Sequence, residues 1–116
     1  MWTEITTPEA LETILTREDG PPVMLFKHST RCPISARALR AAEAWLADHP
    51  GLVNPCRILV VEHRPVSDLA AERLGVRHES PQALLIRGGR VIWHASHLSI
   101  HGDALDKALR QAGLTS

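Results

Sequence analysis

Two apolar runs, separated by one long amphipathic segment, constrain the fold of this chain more than any other feature. The runs cover residues 23–26 and 57–62, and each has the length and aliphatic content of a strand covered on both faces. Between them, apolar residues recur at helical spacing from about residue 33 to 49, and Pro50 with Gly51 ends the pattern. Two strands joined by a helical crossover of this length predict a parallel pair.

The rest of the chain predicts a hairpin and three more helices. Residues 83–86 and 91–95 flank the turn at Gly88 and Gly89, as expected of an antiparallel hairpin. One helix is expected over residues 7–17, capped by Thr7, and another over 67–74, capped by Ser67 and ending at Gly75. Ser99 should cap the last helix. A short strand is also expected around residues 2–5.

The predicted order is strand, helix, strand, helix, strand, strand, helix, and that order is the thioredoxin fold. An extra N-terminal helix and the short strand precede it. The expected class is therefore α/β, with a mixed four-stranded central sheet. The 116 residues suit one thioredoxin-like domain, 1–116, that buries its own core.

Charge and hydropathy exclude several kinds of partner. Thirteen basic and thirteen acidic residues cancel, so the basic surface of a nucleic-acid or membrane binder is missing. No apolar stretch approaches the ~20 residues that cross a bilayer, and residues 1–4 do not read as a signal peptide. We expect a cytoplasmic monomer whose partners are small molecules or other proteins.

Residues 32–35 read Cys-Pro-Ile-Ser and lie where the first apolar run passes into the long helix. Unpaired N–H groups and the positive end of the helix dipole stabilise an anion at such a junction. Because the thiolate is the nucleophile of thiol–disulfide exchange, we expect Cys32 to be reactive at neutral pH. The alternative is that Cys32 is a small apolar residue at a helix cap.

Several neighbours of Cys32 fit this chemistry. Lys27, His28 and Arg31 add positive or polarising groups, and Pro33 loses no hydrogen bond at the first helical position. Ser35 stands where a dithiol enzyme has its second cysteine, and its hydroxyl can only donate or accept a hydrogen bond. An external thiol must then complete the cycle.

Cys56 is expected to be structural. It begins the second strand whereas Cys32 follows the end of the first, which separates them by about 20 Å at ~3.3 Å per residue. A disulfide needs Cα atoms within ~7 Å of each other. The seven histidines show no spacing typical of a zinc site, so no metal is expected.

Two further segments should reach the same sheet edge as Cys32. Ser80 and Pro81 open the hairpin, where this fold normally has a cis proline, and the backbone before it can pair with a bound thiol substrate. Ser96 and His97 follow the final strand, and the free N–H groups of the last helix could hold the carboxylate of a low-molecular-weight thiol. The alternatives are an ordinary proline at the start of a strand and an ordinary loop histidine.

Residues 26–35, together with 78–82 and 93–97, resemble the YtxJ-type monothiol bacilliredoxins, and the resemblance extends from about residue 2 to 109. It implies removal of bacillithiol from S-bacillithiolated client proteins, with Cys32 as nucleophile, Ser35 lining the helix and Pro81 beside the site. It also implies that no cofactor is bound and that bacillithiol or another low-molecular-weight thiol is the co-substrate. Free bacillithiol or a partner reductase would regenerate Cys32.

Two other functions stay open at this point. A monothiol glutaredoxin-like carrier would bind an iron–sulfur cluster between two subunits through Cys32 and an external thiol, although Pro33 and Ile34 stand where cluster-binding relatives usually have Gly-Phe. A brown colour after anaerobic reconstitution would support that function. A thioredoxin-like interaction module with an incidental cysteine predicts that Cys32→Ser leaves all activity intact.

Overall fold

The computed structural model describes residues 1–114. The strands are β1 (Thr3–Glu4), β2 (Val23–His28), β3 (Asn54–Leu59), β4 (Gln82–Arg87) and β5 (Arg90–Ser96), and the helices are α1 (Pro8–Leu15), α2 (Pro33–Asp48), α3 (Arg64–Leu74) and α4 (Gly102–Gln111). A single 3-10 turn, His97–Ser99, lies between β5 and α4. The thioredoxin-fold prediction, with its extra N-terminal helix and short strand, is confirmed.

The five strands form one mixed sheet in the order β1-β3-β2-β4-β5. β2 runs parallel to β3, and β4 runs antiparallel to both β2 and β5. β2 and β5 therefore run in the same direction and end at the same edge of the sheet, where β4 begins. We call this edge, from which Cys32 follows β2, the Cys32 edge.

Side chains along β2 alternate between two helical layers. Val23 and Leu25 pack in the core cluster that contains residues of α1 and α3, whereas Met24 and Phe26 pack with residues of α2 and α4 or the segment just before α4. All six residues of β2 are buried, as expected of a central strand covered on both faces. The same alternation sends the last two side chains of β2 to opposite faces of the sheet.

The second parallel strand is displaced by three residues from the predicted run 57–62. Its register with β2 begins with Val23 opposite Asn54 and ends with His28 opposite Leu59. The N–H of Val60 then donates to the His28 carbonyl at 3.0 Å, after which the chain turns away. Apolar residues 60–61 therefore extend the run in the sequence without extending the strand.

Two helices begin at residues other than the predicted caps. α3 starts at Arg64, with a proline in its first turn, and Ser67 lies buried inside it. α4 starts at Gly102, because the Nδ1 atom of His101 accepts the Ala104 N–H at 3.2 Å and so caps the helix. Ser99 belongs to the preceding 3-10 turn. No helix within residues 1–114 is both long and apolar enough to cross a bilayer.

Candidate active site

Cys32 is the N-cap of α2, directly after the turn that follows β2. Its backbone is extended, and its carbonyl accepts the first intrahelical hydrogen bond, from the Ala36 N–H at 3.0 Å. Pro33 has no N–H to offer, so the free donors of the first turn are the N–H groups of Ile34 and Ser35. The Cys32 side chain is half-buried and makes no capping hydrogen bond. A sulfur anion here lies at the positive end of a 16-residue helix.

Ser35 is completely buried and joins the end of β2 to the first turn of α2. Its Oγ accepts the backbone N–H of Ser29 at 3.0 Å and lies 2.7 Å from Nδ1 of His28. Burial, and then the charge of Arg57, lowers the pKa of His28, so its ring is neutral at pH 7. Ser35 and His28 thus hold the turn that carries Cys32, and the structure gives His28 a contact to Ser35 rather than a charge beside the sulfur.

The segment before β4 lies at the Cys32 edge, as the sequence predicts. Gln82 pairs with Lys27, which puts Pro81 level with the last residue of β2. The Ser80–Pro81 peptide bond is cis. The Ser80 hydroxyl is buried and has no hydrogen-bond partner within residues 1–114. The Pro81 carbonyl accepts the backbone N–H of His97 at 3.0 Å, which joins the two segments predicted to meet there.

Ser96 and His97 differ in what their side chains do. The Ser96 hydroxyl donates to the carboxylate of Glu79, and this hydrogen bond is the main cause of the lowered pKa of Glu79. His97 has φ of +54°, in the left-handed region that non-glycine residues seldom adopt, and its side chain is exposed. No local pattern singles out Glu79 from the other charged loop residues, because its partner is 17 residues away along the chain.

The Lys27 side chain lies on the other face of the sheet from His28 and Ser35, contrary to the expectation from its position in the sequence. Its Nζ donates to the carbonyl of Ser67 at 3.0 Å and lies 3.4 Å from Nδ1 of His78. These contacts lie on the α3 side of the sheet, whereas His28, the next residue, faces α2, where it contacts Ser35. Burial lowers the pKa of Lys27 to about 8. The reason for the difference is the strand alternation itself, which places neighbouring residues on opposite faces.

Arg31 and Pro33 are the neighbours of Cys32 in the chain. Both are exposed, and the Arg31 backbone N–H lies 3.4 Å from the Ser29 hydroxyl. The Arg31 guanidinium takes part in none of the ion pairs formed within residues 1–114. Its charge is therefore not neutralised by an ion pair within those residues.

Cys56 is fully buried in β3, where it pairs with Leu25. It is the third residue of the strand rather than the first, because β3 begins earlier than predicted. Burial raises the pKa of the Cys56 thiol to about 11. Both cysteines are free thiols. Within the described part of the chain, no group of three or more histidine, cysteine or acidic residues could hold a metal ion.

A groove of about 350 Å³ lies between α2 and the segment that joins β5 to α4. Arg37, Ala38 and Ala41 form the α2 side, and His97 and His101 lie on the other. Arg37 is exposed, and no pattern in the sequence indicates which part of the chain it lies beside. The alanines are the one local sequence signal of the groove, since small side chains leave room beside a helix.

Comparison with known proteins agrees with the fold and the motif. The family model of monothiol bacilliredoxin BrxC matches residues 3–105. A solved structure described as a candidate oxidoreductase with a thioredoxin fold is 30% identical, with a TM-score of 0.81 and 90% of each chain covered. The thioredoxin of Trypanosoma brucei brucei is 14% identical, with a TM-score of 0.79, 99% of this chain and 93% of that chain covered.

The thioredoxin of Fasciola hepatica is 16% identical, with a TM-score of 0.72, 96% of this chain and 98% of that chain covered. At such identities the two thioredoxins establish the fold alone. The family match and the oxidoreductase fold together support thiol redox activity. By the match over nearly its whole length, the chain belongs to the monothiol bacilliredoxin family BrxC.

Proposed function

We propose that this protein removes bacillithiol from S-bacillithiolated client proteins, with Cys32 as its single nucleophile. The observation that carries the proposal is the contrast between Cys32 and Ser35. Cys32 caps α2 with a half-buried thiol, whereas Ser35, in the position of a resolving cysteine, is a buried hydroxyl bonded to Ser29 and close to His28. Cys56 is sealed in β3 and cannot take that role. The cycle therefore needs a thiol from outside the chain.

The first step is the attack of the Cys32 thiolate on the bacillithiol sulfur of a client mixed disulfide. A bond forms between Cys32 and bacillithiol while the client–bacillithiol bond breaks, and the client sulfur leaves with the electron pair and takes up a proton. In the second step, the thiolate of free bacillithiol attacks the bacillithiol sulfur on Cys32. Bacillithiol disulfide forms and Cys32 leaves as the thiolate, so each step exchanges one disulfide for another.

Two features of the site support these roles. The N–H groups of Ile34 and Ser35 lie in the first turn of the helix that Cys32 caps, where they can donate to a sulfur atom. Ser80 lies just before β4, where its backbone can pair with an extended client segment. The reaction needs a reduced pool of low-molecular-weight thiol, so we place it in the cytoplasm.

Intact-protein mass spectrometry after incubation with bacillithiol disulfide tests the proposal. We expect one bacillithiol adduct on the wild-type protein and on Cys56→Ala, and none on Cys32→Ser. In a second assay, a purified protein carrying one bacillithiol should lose it when catalytic amounts of the wild-type protein and free bacillithiol are added. Absence of an adduct on the wild type, or equal client release by Cys32→Ser, would contradict the proposal.

A further inference from the structure

Lys27 is a buried cation that the exchange chemistry does not use. Its side chain is 1% exposed, although it is the next-to-last residue of β2. Its Nζ donates to the carbonyl of Ser67 in α3 at 3.0 Å and lies 3.4 Å from Nδ1 of His78. The hydroxyl of Ser67 lies 3.1 Å from the same ring nitrogen. Because a buried charge is unfavourable unless it is hydrogen-bonded, these contacts join β2 firmly to α3 and to the segment before β4.

His78 acts as an acceptor in this group. Burial, and then the charge of Lys27, lowers the pKa of His78, so its ring is neutral at pH 7. A lysine ammonium group can only donate, so the Nδ1 atom of His78 holds the lone pair and the ring proton lies on Nε2. The charged side chains nearby in α3, Arg64 and Asp68, pair with each other at 2.9 Å. The contact between Lys27 and His78 therefore joins a charged donor to a neutral acceptor.

A second buried side chain holds the same segment. Gln82 lies opposite Lys27 in the sheet and is also 1% exposed. Its Nε2 donates to the carbonyl of Arg77 at 3.0 Å. Residues directly opposite each other in an antiparallel pair place their side chains on the same face. Lys27 and Gln82 therefore hold residues 77 and 78 from one side of the sheet.

The residues that follow His78 are tied as well, except for Ser80. The Glu79 carboxylate accepts the hydroxyl of Ser96, and the Pro81 carbonyl accepts the N–H of His97. The Ser80 hydroxyl has no partner within residues 1–114, and in that part of the chain its backbone groups take part in none of the backbone hydrogen bonds outside helices and strands. Contacts on both sides thus hold Ser80 while its own backbone stays available.

We propose that Lys27 and His78 are positioning residues for client binding. Through their buried contacts they hold the segment before Pro81, so that the backbone of Ser80 stays where an extended client segment can pair with it. A segment that is already ordered loses less freedom when the client binds. The inference rests on the proposed function and names the partner class that these residues favour: a polypeptide disulfide over a small one. The chemistry stays with Cys32.

The test compares a peptide disulfide with a small disulfide at pH 7. The peptide is a short synthetic chain whose single cysteine carries bacillithiol, and a second preparation carries 2-mercaptoethanol on the same cysteine. Bis(2-hydroxyethyl) disulfide has no backbone to pair and reports the reactivity of Cys32 alone. Quenched mass spectrometry at rising substrate concentration gives the maximal rate of adduct formation and the half-saturating concentration. Where the rate does not saturate, second-order rate constants are compared instead.

Four variants are compared with the wild type. Lys27→Met removes the ammonium group, and His78→Leu removes the ring nitrogen. His78→Asn is the rescue variant, because its side-chain oxygen can accept a hydrogen bond near the position of Nδ1. Ile86→Val is the matched control: it shortens a buried side chain near the other end of β4 and so lowers stability without touching the segment. Thermal melts followed by circular dichroism verify that each variant is folded.

We expect Lys27→Met and His78→Leu to raise the half-saturating peptide concentration about fivefold, because a loosened segment holds Ser80 in the binding geometry less of the time. The maximal rate with the peptide and the rate with bis(2-hydroxyethyl) disulfide should remain those of the wild type. His78→Asn should recover most of the lost binding, and Ile86→Val should change none of these values.

The possible outcomes separate this inference from the proposed function. If Lys27→Met and His78→Leu bind the peptide as the wild type does, or no worse than Ile86→Val, the positioning role is wrong and the proposed function stands. If they slow bis(2-hydroxyethyl) disulfide as much as the peptide, the positioning role is also wrong. If only the 2-mercaptoethanol peptide reacts, and its binding depends on Lys27, the bacillithiol assignment is wrong and the positioning role stands. If Cys32 reacts with neither peptide, both are wrong.

Discussion

The Oγ atom of Ser35 and the Nδ1 atom of His28 lie 2.7 Å apart, and both side chains are buried. Ser35 also accepts the backbone N–H of Ser29, so its own hydroxyl proton can go to His28. The position that carries the second sulfur in a dithiol enzyme thus serves to fix the turn between β2 and α2. The geometry around Cys32 depends on a hydrogen bond rather than on a second redox group.

Ser35→Ala should therefore destabilise the fold. The substitution leaves the backbone N–H of half-buried Ser29 and the ring nitrogen of buried His28 without their partner, at a cost of ~1–3 kcal/mol in the free energy of unfolding. Urea denaturation gives the value. Ser99→Ala, at an exposed serine, is the control and should change stability by less than ~0.5 kcal/mol. Equal free energies of unfolding for the two variants would show that the Ser35 contacts do not stabilise the fold.

Ser35→Cys should convert the site to dithiol behaviour. The new thiol would occupy the first turn of the helix that Cys32 caps, and it could attack a Cys32 adduct from within the same chain. We expect the adduct formed with bacillithiol disulfide to be short-lived and to give way to an internal disulfide, seen by mass spectrometry as loss of the adduct and of two hydrogens. A persistent adduct on Cys32 would contradict this expectation.

The two native cysteines should differ sharply in alkylation. Burial raises the pKa of Cys56 to about 11, so at pH 8 only about one molecule in a thousand has its thiolate there. Iodoacetamide at that pH should add one carbamidomethyl group to the folded protein, at Cys32, and two in denaturing urea. Peptide mapping locates the group. Modification of Cys56 as fast as Cys32 in the folded protein would show that β3 opens far more readily than its burial indicates.

Lys27 should make stability depend on pH. Burial lowers its pKa from 10.5 to about 8, so between these values the unfolded chain holds a proton that the folded chain has released. Folding stability then rises with pH across that window, by up to ~3 kcal/mol, and is flat with respect to this group below it. The neighbouring charges act in both directions, since Asp68 raises the Lys27 pKa and Arg64 lowers it.

The measurement is the difference in unfolding free energy between the wild type and Lys27→Met at pH 7, 8, 9 and 10. Cys56 titrates in both proteins with the opposite sign, because its folded pKa is raised, and so it cancels in the difference. We expect the difference to move in favour of the wild type as pH increases. A difference that is constant over this range would mean that Lys27 keeps its ordinary pKa in the folded protein.

The sequence predicts the junction at Cys32 well because its signals are local. An apolar run, then Cys32 and Pro33, then helical periodicity specify a strand end and a helix start without reference to the rest of the chain. The position of Pro81 is also predicted from a local pattern. It directly precedes an apolar run that ends at the Gly88–Gly89 turn, and this places it at the start of the hairpin. The fold reproduces both of these predictions.

The predictions that differ from the structure depend on contacts between distant residues. Assigning Lys27 to the correct face requires the exact start of β2, since a shift of one residue exchanges the two faces. Ser67 and Ser99 both read as helix caps, yet the first is buried within α3 and the second precedes the true cap, His101. Arg37 and His101 line one groove because of how the chain packs after β5, which no local pattern specifies.

Because Cys56 is enclosed within β3, each molecule presents a single exchangeable sulfur to its surroundings. Such a molecule cannot form an internal disulfide, so it cannot store a pair of oxidising equivalents. The fraction with an occupied Cys32 would then follow the ratio of disulfide to free thiol outside the protein, in the way that a one-site titrant follows its ligand. Under the proposed function, enclosing the second cysteine would make the occupancy of Cys32 a one-to-one measure of the surrounding thiol pool.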